Sequence, residues 1–266
     1  MRYVYDHDYH IHSSLSTCSN DEEQSAARIL KYALDNSLKQ ICVTDHFWDK
    51  SIDCASDWYK PQDFNHISKI LPLPKADGVN FMFGAETEMD KDFTVGITEK
   101  AMDKLDFIIV PTTHLNNAGF GISKELAATP EGRAKTWFLK LNALLAKPFP
   151  FYKMGVAHLA CGLTAPTRAE YLATLSLLEE SELKKSFTRA ADVGVGIEIN
   201  SFDMRFSESE AETVLRIFEI AKLCGCKFYM GSDAHHPAAL DAAKDIFERA
   251  IDYLELKESD KFCIKK

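Results

Sequence analysis

Short apolar runs recur along the chain and alternate with longer stretches of helical periodicity. Seven runs have the character of buried strands: residues 3–10, 41–44, 81–85, 107–110, 154–157, 195–199 and 228–230. Apolar positions at three- and four-residue spacing predict helices over 169–186, 207–223 and 238–256. A further helix is predicted over 21–37. Ala26, Ala27, Ile29, Leu30, Ala33 and Leu34 form its apolar face, and Ser19, Asn20 or Asp21 can cap it. Buried strands alternating with helices predict an α/β fold with a parallel sheet. Seven strands with no edge signal suggest closure into one barrel domain over residues 1–266. In such barrels chemistry sits at the carboxyl ends of the strands. The irregular segment 47–77 and the long insertion 115–150 are expected to wall the mouth, where Phe47, Trp48, Trp58, Tyr59 and Phe120 are available to line it.

Composition narrows the picture. Hydrophobic residues make up 46% of the 266 and charged residues 27%, which suits a soluble protein with a sizeable core. Lys and Arg number 31 against 40 Asp and Glu, a net charge of −9. Long nucleic acid is therefore not an expected partner, because counterion release needs clustered cations. No apolar run nears the roughly 20 residues of a membrane span. The charged N-terminal stretch lacks an apolar signal core. The seven cysteines show no disulfide-framework spacing, and Cys224 and Cys226 form CxC rather than the redox CxxC. A reducing cytoplasm is the expected location.

Six of the nine histidines fall at or just past the end of a strand run: His10, His12, His46, His114, His158 and His235. His10/His12 and Asp233/His235 are pairs two residues apart, a spacing that puts both members on one face of an extended chain. Glu86 follows the run that closes with Gly84 and Ala85, where a carboxylate facing histidines can bridge two cations. A lone histidine is more often structural than ligating, and His7 and His66 are read so. Six at strand ends together with an acid point instead to a multinuclear metal site and a hydrolase. Glu88 is expected to be an exposed strand-end acid. Asp45 either orients His46 or caps a turn.

The order HIH, TDH, GAE, TTH, AHL and GSDAH, from near residue 6 to about 240, resembles the PHP (polymerase and histidinol phosphatase) superfamily. The resemblance implies a distorted (β/α)7 barrel with up to three divalent ions, zinc, manganese or iron. It implies one ion on His10, His12, Glu86 and Asp233 and a second on Glu86, His114 and His158. A third would sit on His46, His235 and the residue six after His12, here Cys18. A thiolate there favours zinc over magnesium or manganese, and the other reading is that Cys18 is a small packed residue.

Within the superfamily, the size and the segment Glu198-Ile-Asn200 look most like the histidinol-phosphate phosphatases. Arg205 stands where that subfamily has a phosphate-binding arginine, and Arg168 is a second candidate substrate contact. The intervening Ser201-Phe-Asp-Met204 departs from the small, glycine-containing stretch usual there. The implied activity is hydrolysis of a small phosphate monoester by a metal-bound hydroxide. L-histidinol phosphate, in histidine biosynthesis, is the best-fitting substrate. His235 is the candidate proton donor to the leaving alcohol. The alternatives are a nucleotide phosphatase or phosphodiesterase, and a non-catalytic module.

Overall fold

A computed structural model describes residues 1–19 and 21–265. Seven strand runs are present, but two are split in two, giving nine strands. These are β1 (His7–Ile11), β2 (Gln40–Val43), β3 (His46–Phe47), β4 (Asn80–Phe83), β5 (Ala85–Thr87), β6 (Ile108–Pro111), β7 (Met154–Ala157), β8 (Gly196–Asn200) and β9 (Lys227–Gly231). Eight α-helices accompany them: α1 (Ala26–Asp35), α2 (Phe64–Ile67), α3 (Glu99–Met102), α4 (Pro130–Leu145), α5 (Arg168–Ser176), α6 (Glu180–Val193), α7 (Ala211–Leu223) and α8 (Pro237–Tyr253).

All strand ladders are parallel. One sheet runs β1-β2-β4 and the other β3-β5-β6-β7-β8-β9. The split falls at Thr44–Asp45 and at Gly84. Before it the chains pair with one set of neighbours, and after it Ala85 donates to Phe107 O at 3.1 Å and Glu86 to Asp45 O at 3.1 Å. Gly84 permits this crossing, because a Cβ there would overlap the Phe107 carbonyl and lie 2.7 Å from Cys42 Sγ. Among the described residues the ladders form these two sheets rather than one continuous ring. β1 meets the end of β9 through two main-chain bonds, Asp233 N to His10 O at 2.7 Å and His12 N to Ala234 O at 3.1 Å. Side chains replace the rest of that ladder: Ser232 N donates to Asp8 Oδ1 and Met230 N to His7 Nε2.

Alternation along the strands sorts the core into two faces. Ile41, Val43, Ile108, Val110, Phe228 and Met230 pack with the helices. Cys42, Ile109 and Tyr229 point the other way and join Tyr9, Met82, Phe107, Ala157 and Phe262 in a separate cluster.

The helices differ from expectation in three places. α1 starts five residues later than predicted and is capped by Ser25, whose side chain accepts from Arg28 N. The residues before it are held across the strand ends instead, where the buried Gln24 amide donates to His12 O at 2.9 Å and Ala234 O at 3.1 Å. Asn20 lies outside the described residues, and Leu34 and Ala27 face solvent. The helix expected over 169–186 is two, α5 and α6, and the acids Glu180 and Glu182 favour a new N-terminus there. The segment 115–150 holds α4, capped by Thr129 with Pro130 in its first turn. Among the described residues no helix is long and apolar enough to cross a membrane.

Candidate metal centre

Consecutive strands deliver the donors to one place. β1 carries His10 and runs into His12, β3 opens on His46, β5 carries Glu86 and β7 runs directly into His158. His114 lies three residues past β6, and Asp233 and His235 two and four past β9. His158 and Asp233 both adopt left-handed backbone, with φ of 62° and 54°, which turns each side chain inward at the strand end. Such conformations in non-glycine residues cluster at functional sites.

The outer nitrogens of four histidines are fixed. His10 Nδ1 donates to the buried Glu198 Oε1 at 2.6 Å, and His114 Nδ1 to Glu88 Oε2 at 2.8 Å. His235 Nδ1 donates to Asp233 O at 2.8 Å. Ser16 directs its hydroxyl proton to Asp45 Oδ1 at 2.7 Å, so it accepts from His12 Nδ1 at 2.9 Å. Each ring is thereby left with an Nε2 lone pair, the tautomer suited to metal ligation.

Those lone pairs converge on carboxylates that also only accept. His10 Nε2 lies 3.0 Å from His12 Nε2, 3.5 Å from Glu86 Oε2 and 3.5 Å from Asp233 Oδ1. His12 Nε2 lies 3.3 Å from Glu86 Oε2 and 3.1 Å from Asp233 Oδ1. Four acceptors facing one another at this spacing repel unless a cation sits among them. The edges of a tetrahedron with metal–ligand bonds of about 2.0–2.1 Å are ~3.3 Å long, so these residues fit a divalent ion. Glu86 Oε2 and His46 Nδ1, 2.9 Å apart, are buried with no hydrogen-bond partner among the described residues. His158 Nε2 lies 3.2 Å from Glu86 Oε1 and 3.7 Å from Asp233 Oδ2. Potential ligand atoms of His12, His46 and His235 form one group, and those of His114, His158 and Cys161 another.

Burial opposes charge on the His10 and His12 rings, yet the surrounding carboxylates outweigh it and raise both. His158 is likewise raised well above its ordinary value. Glu86, despite burial, is held well below the usual carboxylate range by His46 and His10. Without metal, then, protons relieve the acceptor crowding at neutral pH, and a bound cation must displace them. Supplying zinc to chelator-treated protein at pH 7 in weak buffer is accordingly expected to acidify the solution. Apparent affinity is expected to rise with pH between about 6 and 8, since the folded pKa values lie above ordinary histidine. Affinity flat across that window in a calorimetric titration would contradict this protonation scheme.

The same geometry revises several expectations. Glu88 is not exposed: it is buried, bonded to His114, and 3.4 Å from the buried Lys140 ammonium. Asp45 acts on His12 through Ser16 and also accepts from Ser13 N at 2.7 Å, as a turn cap does, while Ser16 Oγ accepts from the His46 main-chain nitrogen rather than from its ring. Glu198 was missed as a supporting group. Its mid-strand carboxylate in an apolar run was the available signal. It takes His10 and also accepts from His158 N at 3.0 Å. Gly231 lets it approach, since a Cβ there would overlap Glu198 Oε1. Burial and then His12 lower His235 to about 3. With Nδ1 turned to a carbonyl, this neutral ring has no inward proton to give a leaving group. Cys18 is exposed, its thiol pushed up to about 12 by burial of the sulfur and by Glu86, and it stands outside the His12, His46 and His235 group. Cys161, by contrast, is lowered to about 7, because His114 and His158 overcome the effect of burial.

A cavity of about 730 Å³ opens above the centre. Trp58, Tyr59 and Phe120 line one part, supplied by the two insertions, and Leu163 and Phe202 line another. Phe47 and Trp48 are core residues instead. Among the described residues, no lysine or arginine lines this cavity. Arg168 donates twice to Glu210, at 2.8 Å each, away from it. Arg205 is exposed and stacks over the Phe202 ring, 4.5 Å from the centroid. His7 and His66 are structural as expected, joined to Asp6 and to Leu15 O.

No family model matches the chain. A "Probable phosphatase" of Caldicellulosiruptor bescii is 26% identical over 207 residues, covering 77% of this chain and 71% of that protein. A "Probable phosphatase" of Caldicellulosiruptor saccharolyticus is 24% identical over 224 residues, covering 84% and 78%. Among solved structures, a histidinol phosphate phosphatase from Lactococcus lactis, complexed with zinc, L-histidinol and phosphate, superposes with a TM-score of 0.59. It is 19% identical, and the match covers 92% of this chain and 93% of that one. The chain is therefore similar in fold to the Lactococcus histidinol phosphate phosphatase.

Proposed function

We propose that this chain is a metal-dependent phosphatase that hydrolyses a small phosphate monoester, with L-histidinol phosphate the best candidate. The observation that carries the reading is the convergence of His10, His12, Glu86 and Asp233 as four facing acceptors. The names of the relatives and the contents of the Lactococcus structure favour phosphate chemistry. We take residues 1–266 as one distorted (β/α)7 barrel acting in the cytoplasm on a soluble metabolite.

Two or three divalent ions would be held by His10, His12, Glu86 and Asp233, by Glu86, His114 and His158, and by His46 and His235, with Cys18 lining the same cavity. When bound they supply Lewis acidity toward phosphate oxygens and a coordinated water acidic enough to attack near pH 7. The protein's part is positioning. Glu198, Ser16 with Asp45, and Glu88 hold rings in the ligating tautomer, so no reorganisation is needed as charge develops. Trp58, Tyr59, Phe120 and Phe202 offer the organic part apolar faces and keep water from it. With no cation in the lining, the ions neutralise most of the phosphate charge. Arg205, exposed over the Phe202 ring, is the arginine we assign to drawing the anionic substrate toward the mouth. Arg168 is already committed to Glu210 and receives no role.

The test is phosphate release by the metal-loaded protein from a panel of L-histidinol phosphate, other small monoesters, nucleotides and a diester. The monoesters are expected to lead, with L-histidinol phosphate first. Preference for nucleotides or the diester would replace the monoester reading. A metal-free protein inert on every ester would support the non-catalytic alternative.

A further inference from the structure

Cys161 belongs to none of the three ion sets assigned above, yet its potential ligand atom groups with those of two histidines from one of them. The turn after β7 brings it back onto the strand end: Cys161 N donates to His158 O at 3.0 Å, and His158 itself turns at φ 62°. Its thiol sulfur accepts from Leu163 N at 3.3 Å, an amide directed at the sulfur as it would be at a thiolate. Ligand atoms of Cys161, His114 and His158 all lie within 4.8 Å of one another. Cys161 is 7% exposed and lines the cavity, as do both histidines. His114 Nδ1 is committed to Glu88, which leaves its Nε2 for the cavity side. Two imidazoles and one thiol converging at this scale form a donor set of two nitrogens and one sulfur. That set suits zinc and not the hard cations manganese or magnesium.

We propose that Cys161 is a thiolate ligand of the ion held by His114 and His158, and that it makes this position selective for zinc. The sequence pointed to Cys18 as the soft donor, but Cys18 is exposed and stands outside every ligand group. The proposal rests on the metal-centre reading and adds to it a sulfur bond and a metal preference. A metal site limited to histidine and carboxylate would lack the sulfur bond and would prefer zinc less strongly.

X-ray absorption at the zinc edge tests it on the intact, zinc-loaded protein. A sulfur shell at about 2.3 Å beside the nitrogen and oxygen shell is expected in the native protein. It should vanish in Cys161→Ser and persist in Cys18→Ser. Competition between zinc and manganese is the second readout. Cys161→Ser is expected to lower the preference for zinc by about 10-fold or more, the scale of losses when a metal site is altered. Bound zinc with only nitrogen and oxygen neighbours would overturn the thiolate while leaving the phosphatase reading intact. A sulfur shell lost in Cys18→Ser but kept in Cys161→Ser would overturn the assignment to Cys161. Failure of the native protein to retain zinc at all would overturn both readings.

Discussion

Replacing Glu86 with glutamine is expected to lower phosphate release by about 10³-fold or more, roughly 4 kcal/mol of barrier, and to strip metal from the protein. Glu86 is fully buried, and its two oxygens face His10, His12, His46 and His158 at 2.9–3.5 Å. No other carboxylate reaches all four rings among the described residues. Glutamine keeps the volume and removes the charge. Its amide would also place N–H groups where lone pairs must meet a cation. The change preserves packing, so loss of activity with an unchanged circular dichroism spectrum would locate the effect in the centre. A Glu86→Gln protein that kept its metal and its rate would refute the bridging role.

Removing the metal is the second large effect. Prolonged chelation is expected to abolish phosphate release and to lower Tm, with both restored by adding zinc or manganese. An ion present at about 100 times its dissociation constant stabilises the folded state by about 2.7 kcal/mol. For a chain of this size that corresponds to ~5–10 °C. The sign follows from linkage: the folded state gathers the ligands and the unfolded chain scatters them over more than two hundred positions. A chelated protein that melted at the same temperature and still hydrolysed its ester would sink the metal mechanism.

What the sequence disclosed was what repeats locally. Apolar runs marked the strands because a buried parallel strand needs nothing else, and the histidines announced themselves by following those runs. The insertions were legible as walls, and Trp58, Tyr59 and Phe120 do line the cavity. Groups whose role depends on a distant partner stayed hidden. Glu88 reads like any acid past a strand until His114 and Lys140 arrive from later elements. Cys161 looks like a small apolar residue until its turn folds back on His158. Helix α4 lies within an insertion, although Thr129-Pro130 and the apolar positions Ala134, Trp137, Leu141 and Leu144 spell it out. Arg168 failed for a different reason. A guanidinium is free in a sequence and taken in a fold, and Glu210 takes it.

The two main-chain bonds that tie β1 to the end of β9 bear on how the molecule comes apart. They bracket His10 and Asp233, residues that would grip the same ion, and side chains of Asp8 and His7 take the place of further main-chain bonds there. An ion there works as a rivet between the opening and closing segments of the polypeptide. Cells short of metal would thus hold a protein that is not merely idle but loosened where β1 meets the end of β9.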